Sequence, residues 1–556
     1  MVRRIAQLLT SEVRGLHEAA YLLGVFALLS QFLALVRDRL FASTFGAGST
    51  LDLYYAAFKI PDLLFVSIAS FISIYVLIPI LSDSYQNNQA KTREVLDSIF
   101  TIFFIALVAV SAVVFWFMRD ILQVIFPGFN SDQIAQVSMV AQILLLQPLL
   151  LGLSNLLASL TQLKGRFILY ATSPLVYNLG IIFGVLFLYP VFGLPGLAYG
   201  VVLGAFLHLG IQVPFIVQSK LLPKFTFKPN FSIIRQVISL SLPRTLTLAA
   251  NQILLMIFIA IASLLSVGSI SVLQFAFNLQ SVPLAIIGVS YSVAAFPTLA
   301  QLFSAGDRYA FSVQITQAMR AIIFWSVPVL VMVVVLRAQI VRVILGSGEF
   351  DWDDTRLVAA ALAMFVISLF AQALVMLLVR GFYAAGNTRT PLLANMTAVC
   401  VSLVVAGLGI LVFTEYPFVQ QTIERLFRVE GIPGTSVLML PLAYTIGMLA
   451  NLVMLLILFE RWYGVLREAL VSLVLKVSIA SLGAGLVAYV VLNALVSVVD
   501  INTFVGIFSQ GVVAGMSGLL AWLITLKVLK SDELEQVLTA LSHKFWKQRT
   551  VVPEEN

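Results

Sequence analysis

Apolar stretches of about twenty residues recur along the whole of this 556-residue chain, and they constrain its fold more than any other feature. About twenty helical residues cross the hydrocarbon core of a bilayer. Only 11% of the residues are charged, whereas soluble domains carry roughly a quarter. So much apolar surface cannot be hidden in one core, and the runs are too continuous for alternating barrel strands. We therefore predict an all-α polytopic membrane protein.

The breaks between these runs predict fourteen spans. They lie at 18–46, 53–82, 96–118, 134–160, 168–188, 192–218, 236–265, 270–302, 314–336, 357–380, 391–414, 436–459, 469–494 and 502–526. The first run lacks a short apolar core followed by a small-residue cleavage site, so we interpret it as a retained helix and not as a signal peptide.

Basic residues predict the orientation of the spans, because loops on the cytoplasmic side hold most of the lysine and arginine. With the N-terminus inside, 22 of the 33 basic residues lie on the cytoplasmic side, 6 lie on the opposite side and 5 fall within spans. We expect both termini to be cytoplasmic. The net charge of +7 then reflects topology and contact with anionic headgroups, and not nucleic acid binding.

Enzymatic chemistry finds no support in the sequence. The single cysteine, Cys400, excludes an intrachain disulfide, and the three histidines are too scattered for a zinc site. The run Gly346-Ser347-Gly348 follows no predicted strand, and every loop is too short for a nucleotide-binding domain. We predict no catalytic residue, no metal site and no cofactor.

Two short echoes suggest an internal duplication. Ile78-Pro79-Ile80-Leu81 matches Phe296-Pro297-Thr298-Leu299 at an offset of 218 residues, and Lys164-Gly165-Arg166-Phe167 matches Ala385-Gly386-Asn387-Thr388 at 221. An offset of six spans makes the repeats parallel, an arrangement that transporters use to form a cavity between lobes. Chance similarity between apolar helices is the alternative. The duplication favours a transporter.

This reading divides the chain into six parts. They are an amphipathic N-terminus (1–17), an N-lobe (18–218), a cytoplasmic linker (219–235), a C-lobe (236–459), two further spans (460–529) and a cytoplasmic tail (530–556).

Charged residues inside the spans are the candidate binding residues, because each costs roughly 2.5–3.5 kcal/mol at the bilayer centre unless it faces protein or water. They are Arg37, Asp38, Arg39, Lys59, Asp62 and Arg244, with Asp52 at the mouth of the second span. One interpretation is an electropositive cavity for a phosphate-bearing substrate, since guanidinium matches phosphate oxygens. The alternative is that the arginines of the first span snorkel while Lys59 and Asp62 form an ion pair.

Several strings of residues resemble the MurJ/MviN family of lipid II flippases within the MOP exporter superfamily. These strings are Leu35-Val36-Arg37-Asp38, Phe45-Gly46-Ala47-Gly48, Asp52, Ala57-Phe58-Lys59-Ile60-Pro61, Gly348-Glu349-Phe350-Asp351, Arg380-Gly381-Phe382-Tyr383-Ala384 and Asn387-Thr388-Arg389-Thr390-Pro391. The resemblance covers roughly residues 20–400.

The resemblance implies two six-helix lobes around a cationic cavity, with the last two helices lining a groove for the polyprenyl tail. It implies alternating access driven by a monovalent ion gradient or by the membrane potential. Arg37, Asp38, Asp52 and Lys59 carry over, whereas family arginines align with Gln31, Phe65 and Asn278. We therefore name as substrate-binding candidates Arg37, Asp38, Arg39, Asp52, Lys59, Arg244 and Asn278.

The function expected from this resemblance is translocation of lipid II across the bacterial cytoplasmic membrane. The expected partners are lipid II or a related polyprenyl-diphosphate glycolipid, membrane lipids and cell-wall synthesis proteins. The alternatives are a flippase for another lipid-linked saccharide, a MATE-like exporter with its ion site at Asp38, and a membrane scaffold that binds cell-wall enzymes through its termini.

Overall fold

The fold is helical throughout the part of the chain that the structure describes. The structure is a computed structural model that describes residues 16–68, 71, 77, 81, 89–464, 467–500 and 503–545. No strand occurs within these ranges, and the predicted all-α class is confirmed. Most of the predicted N-terminal segment, the echo around Pro79 and the end of the tail lie outside the described residues.

The helices before residue 219 follow the predicted spans closely. They are Leu16–Phe45, Ser49–Ala57, Lys59–Ile68, Gln89–Trp116, Met118–Ile125, Ser131–Leu144, Leu146–Leu163, Phe167–Phe183, Tyr189–Phe192, Leu194–Gly210 and Val213–Gln218, with a π-helical turn at Gly184–Leu188. The second predicted span is interrupted at Phe58. Pro61 has no N–H with which to bond the Ala57 carbonyl, which weakens the helix at this point.

The helices after the linker include Arg308–Leu345, which is the longest helix among the described residues. They are Phe231–Ser263, Ser269–Leu284, Ser290–Ser304, Arg308–Leu345, Trp352–Ile367, Leu369–Ala384, Arg389–Glu415, Pro417–Phe427, Met439–Tyr463, Arg467–Leu495, Phe504–Val528 and Asp532–Phe545, with a π-helical turn at Ala285–Val289 and a 3-10 turn at Thr435–Leu438.

The described residues contain 11 helices long and apolar enough to cross a membrane, or 12 if a bent pair counts as one span. The bent pair is Trp352–Ile367 with Leu369–Ala384, whose axes differ by 41°. The chain is therefore a multi-pass membrane protein. The number of spans predicted from the sequence was fourteen.

Contacts between Cα atoms divide the chain into two compact units. The first comprises 1–276, 344–358 and 395–443, and the second comprises 277–343, 359–394 and 444–556. Each unit has its own packed polar group, described below.

One of the two echoed turns has the same geometry in both copies. Gly165 and Gly386 adopt φ of +67° and +74°, the left-handed conformation that glycine favours. The next residue closes each turn: Arg166 donates its N–H to the Thr161 carbonyl at 2.8 Å, and Asn387 donates to the Phe382 carbonyl at 2.9 Å. The same closure occurs at Gly306, where Asp307 donates to the Leu302 carbonyl at 3.1 Å, so it is a common helix end and the duplication stays a prediction.

The last two spans pack tightly through their small residues. A Cβ at Gly485 would lie 2.5 Å from Val331 Cγ1, and one at Gly518 would lie 2.8 Å from Met332 Cε. Glycine at these two positions therefore lets the pair approach the helix Arg308–Leu345. Gly483 is more open, because its nearest such neighbour is Thr525 Oγ1 at 4.0 Å.

Candidate functional site

A charged group inside the first unit is centred on Arg37, near the end of the helix Leu16–Phe45. The Arg37 guanidinium donates to Asp38 Oδ1 from Nε at 3.0 Å and from Nη2 at 2.8 Å. Its Nη1 donates to Asn178 Oδ1 at 3.1 Å. The Asp38 side chain is only 4% exposed, whereas that of Arg37 is 20% exposed. The Asp38 side chain is therefore covered, while part of the Arg37 side chain remains exposed.

Aromatic and charged side chains from neighbouring helices complete this group. Tyr54 and Tyr55 lie near enough to Arg37 to interact with it electrostatically, as does Tyr177 from the helix Phe167–Phe183. Lys59 is buried, interacts with Asp62 one turn later and donates from Nζ to Gln274 Oε1 at 3.5 Å. We call this set the cationic cluster after Arg37 and Lys59, whose two charges are balanced by those of Asp38 and Asp62. Its members are Arg37, Asp38, Tyr54, Tyr55, Lys59, Asp62, Gln147, Tyr177 and Asn178.

Two atoms of the cationic cluster keep hydrogen-bonding capacity. The Tyr55 hydroxyl and Gln147 Oε1 are buried, and neither has a hydrogen-bond partner among the described residues. Buried polar atoms are normally paired. Both atoms are therefore unsatisfied among the described residues, and both are buried.

Arg39 turns away from the cationic cluster. Its Nη1 donates to the Ile344 carbonyl at 3.3 Å, in the last turn of the helix Arg308–Leu345. A cation at the C-terminal end of a helix stabilises the free carbonyls there. Adjacent helical residues point in different directions, so Arg37 donates to Asp38 while Arg39 reaches the Ile344 carbonyl.

Asp52 holds the start of a helix. Its Oδ2 accepts from the Gly268 N–H at 2.6 Å, and its Oδ1 accepts from the Ser271 N–H at 2.8 Å and hydroxyl at 2.7 Å. These donors lie at the first turn of the helix Ser269–Leu284, where backbone N–H groups lack partners within the helix. Asp52 is 6% exposed. Its contacts are those of a cap supplied from another segment.

Two glycines, of which Gly348 belongs to a recognised string, allow close backbone approach around this cap. Gly268 and Gly348 have φ of +90° and +60°, and a Cβ on either would lie 2.1 Å from a carbonyl oxygen, that of Ala47 and that of Ser43 respectively. The Glu349 N–H also donates to the Ser43 carbonyl at 3.0 Å. We call this region, residues 43–52, 268–271 and 347–354, the clasp. Several of the strings that carried the resemblance meet in it.

Arg244 is half-buried in the helix Phe231–Ser263. That helix packs against the helix Lys59–Ile68, which carries Lys59 and Asp62. Gln31, where the resemblance places a family arginine, is also half-buried. Phe65, at another such position, packs against the apolar core of the first unit.

Asn278 lies in the second unit, on the same helix as a neutral polar group. The Asn278 carbonyl accepts from the Ser281 hydroxyl at 2.6 Å. Two residues after Asn278, the buried Gln280 accepts from Gln372 Nε2 at 3.1 Å. Gln372 also donates to Ser368 Oγ at 2.8 Å and accepts from the Tyr444 hydroxyl at 3.3 Å. We call these residues, Gln280, Ser368, Gln372 and Tyr444, the amide network.

The candidate list missed part of both groups. The adjacent tyrosines Tyr54 and Tyr55 were visible as polar tips within an apolar run, and Gln372 as an amide within a predicted span. A hydrogen-bonding side chain in a span ordinarily joins neighbouring helices, so the sequence alone does not mark it as part of a binding site.

Comparison with known proteins decides the family. The family model described as lipid II flippase MurJ matches residues 41–514, which is most of the chain. The chain belongs to the lipid II flippase MurJ family. It is 29% identical over 382 residues to a probable lipid II flippase MurJ of Buchnera aphidicola subsp. Acyrthosiphon pisum, covering 67% of this chain and 74% of that protein. It is 27% identical over 455 residues to that of Thermotoga maritima, covering 76% and 89%.

Solved structures agree with this assignment at the level of fold. A lipid II flippase MurJ in an inward closed conformation superposes with a TM-score of 0.74 at 20% identity, covering 92% of this chain and all of that one. An inward-facing MATE family multidrug resistance transporter of the MOP superfamily superposes with a TM-score of 0.61 at 15% identity, covering 80% and 95%. The helices of this family member are thus arranged as in known transporters.

Proposed function

We propose that this family member moves lipid II, a polyprenyl-diphosphate-linked precursor, from the inner to the outer leaflet of the bacterial cytoplasmic membrane by alternating access. The observation that carries the proposal is the cationic cluster, in a chain that matches the family model over most of its length. There the partly exposed side chain of Arg37 is held beside a covered carboxylate. A guanidinium offers the planar pair of donors that a phosphate accepts.

In this proposal Arg37 contacts the diphosphate, and Asp38 fixes the orientation of its guanidinium. Lys59 and Arg244 add positive charge on helices that pack against each other. Asn278 contributes a neutral contact to the substrate, and Arg39 and Asp52 hold the surrounding helices through the contacts described above. Transport needs no cofactor in this account and draws on a monovalent ion gradient or the membrane potential.

A flippase for another polyprenyl-diphosphate-linked saccharide is the second candidate. The replacement of three family arginines by Gln31, Phe65 and Asn278 favours it, because fewer cations contact the headgroup. A MATE-like exporter with a cation at Asp38 is less well supported, since Asp38 Oδ1 already accepts two hydrogen bonds from Arg37.

Replacement of the resident flippase in a bacterial depletion strain tests the proposal. The chain should restore lipid II at the outer leaflet, measured by its accessibility to an enzyme added outside the cell. Arg37→Ala should abolish the signal, whereas Arg119→Ala, a change at an exposed arginine of a predicted outer segment, should preserve it. Growth without lipid II at the outer leaflet would favour the scaffold. If the protein is present at normal levels but restores neither growth nor lipid II at the outer leaflet, a different lipid-linked saccharide is favoured as the substrate.

The proposed orientation can be tested by cysteine labelling, because the one native cysteine, Cys400, is exposed and can be replaced. In a cysteine-free background, a cysteine at residue 228 should be protected from an impermeant reagent in intact cells. One at residue 353 should react. Labelling of both from outside would contradict cytoplasmic placement of the linker.

A further inference from the structure

The linker between the helices Val213–Gln218 and Phe231–Ser263 is fastened along the helix Gln89–Trp116. The Lys224 N–H donates to Asp97 Oδ1 at 2.7 Å, and the Thr226 N–H donates to Thr101 Oγ1 at 3.0 Å. Further along, the Asn230 N–H donates to Ser98 Oγ at 3.0 Å. The acceptors lie on one face of that helix, and the backbone N–H groups of the linker point toward this face.

The side chains left on the outer surface of the linker are basic and aromatic. Lys220, Lys224 and Lys228 are exposed, and Phe227 is fully exposed. Phe231 and Arg235 continue this surface into the next helix. Arg93 lies beside it and donates to the Lys220 carbonyl at 3.1 Å.

The acidic groups at this surface already accept hydrogen bonds from the linker. Glu94 accepts from Asn230 Nδ2 at 2.8 Å, and Asp97 accepts from the Lys224 N–H. Among the described residues of this surface five are basic and two are acidic, so it carries an excess of positive charge. Such a surface complements anionic headgroups, and exposed aromatic rings insert at the same level of a bilayer.

An aromatic contact joins the linker to an apolar groove on the same unit. The Phe225 ring lies 4.9 Å from that of Phe100 and 5.4 Å from that of Phe104, measured between centroids. Phe104 lines a groove of about 590 Å³. The other lining residues are Leu146, Leu149, Leu150, Leu153, Tyr199, Val202, Leu203 and Phe206. Since these residues belong to membrane-spanning helices, the groove faces lipid tails.

We propose that the linker and this groove form a binding site for an anionic phospholipid of the adjacent leaflet. Lys224 and Lys228 bind its phosphate, Phe227 and Phe231 insert at the interface, and one acyl chain lies in the groove below Phe225. The continuity from basic surface through aromatic rings to apolar groove matches the sequence of headgroup, interface and tail in a phospholipid. The site is separate from the cationic cluster and adds to the proposed function.

Lipid titration of the purified full-length protein tests this site. After removal of bound lipid, the protein is titrated with dioleoyl phosphatidylglycerol or dioleoyl phosphatidylcholine, and binding is counted by native mass spectrometry. Phosphatidylglycerol should bind more tightly. Lys224→Gln with Lys228→Gln should weaken its binding by about fivefold per lysine. The matched control is Arg461→Gln with Lys527→Gln, two exposed cations elsewhere on the predicted cytoplasmic side, and it should retain native affinity.

A nitroxide at residue 227, in a Cys400→Ser background, reports on the same site in bilayers. In vesicles containing phosphatidylglycerol it should be reached by oxygen more readily than by a water-soluble nickel complex. Native affinity in the linker lysine variant, equal binding of the two lipids, or a nitroxide fully accessible to nickel would each overturn the proposal. Because no step depends on flipping, these results are distinguishable from failure of the transport assay.

Discussion

The cationic cluster of the first unit and the amide network of the second are polar groups of opposite kinds. The cationic cluster of the first unit contains formal charges and leaves part of Arg37 accessible. The amide network of the second unit is neutral, and its two amides are buried and bonded to each other. A neutral network can satisfy itself internally, whereas buried charges need excellent geometry or an external partner. We therefore expect the first group to serve a ligand, as the proposed function requires, and the second to serve the fold.

A local reason for the amide network is the bend in its helix pair. The helices Trp352–Ile367 and Leu369–Ala384 meet at Ser368, where regular backbone bonding is interrupted. Side chains satisfy groups near the break: the Thr445 hydroxyl donates to the Met364 carbonyl at 2.6 Å, and Gln372 donates to Ser368 Oγ. Broken helices in membranes persist where neighbouring side chains supply such bonds.

The largest effect is expected from substitution of Arg37. Arg37→Ala removes two charge-assisted hydrogen bonds from the buried Asp38 carboxylate, which should cost about 3–5 kcal/mol and abolish transport. Arg37→Lys keeps a charge but loses the planar donor pair, so transport should fall about tenfold. Both are measured as lipid II at the outer leaflet, normalised to protein level. Full transport by Arg37→Ala at normal protein level would contradict the assignment of the cationic cluster to substrate binding.

Substitution of Asp52 tests whether a buried charge of the first unit serves folding or substrate binding. Asp52→Ala removes the cap from the helix Ser269–Leu284 and leaves buried N–H groups unpaired, at a cost of about 1–3 kcal/mol. The midpoint of thermal unfolding should fall, while transport per folded molecule should change little. Unchanged unfolding with lost transport would instead place Asp52 among the substrate contacts.

Added volume tests whether the last two spans act by packing. Gly485→Leu and Gly518→Leu should destabilise the protein by about 1–3 kcal/mol, because their side chains meet Val331 and Met332. Gly483→Leu is the matched control and should be tolerated. If instead all three variants unfold normally but fail to transport a long-chain lipid, the pair lines a groove for the polyprenyl tail.

The smallest effect is expected when both amides of the network are removed together. Gln372→Leu alone leaves Gln280 unpaired and should cost about 1–3 kcal/mol. The double variant Gln280→Leu with Gln372→Leu should recover much of that loss, because neither partner is left buried and unsatisfied. Thermal unfolding of the two single variants and the double variant measures the coupling. A double variant that is stable but inactive would assign the network to transport.

The sequence predicted the helical class and the charged candidates because lipid imposes a strong pattern on a chain. Long apolar runs mark spans, and a charge within a run stands out against its cost. Arg37 and Asp38 were found in this way, and the structure pairs them.

The pairing of distant segments could not be predicted by the same reasoning. Asp52 caps a helix more than two hundred residues later, and Arg39 reaches the Ile344 carbonyl, because tertiary folding brings these segments together. Tyr177 and Gln372 looked like ordinary residues of apolar helices until their neighbours were known. Pattern and spacing report on one helix at a time, whereas a site depends on several.

The affinity of the purified protein for lipid II tests the central claim most directly. We compare the native chain with Arg37→Lys and with the double variant Gln280→Leu and Gln372→Leu, all reconstituted in the same lipid. The account predicts that Arg37→Lys binds lipid II about tenfold more weakly and that the double variant binds it as the native chain does. Native affinity in Arg37→Lys, or weakened binding confined to the double variant, would contradict the assignment of the diphosphate to the cationic cluster.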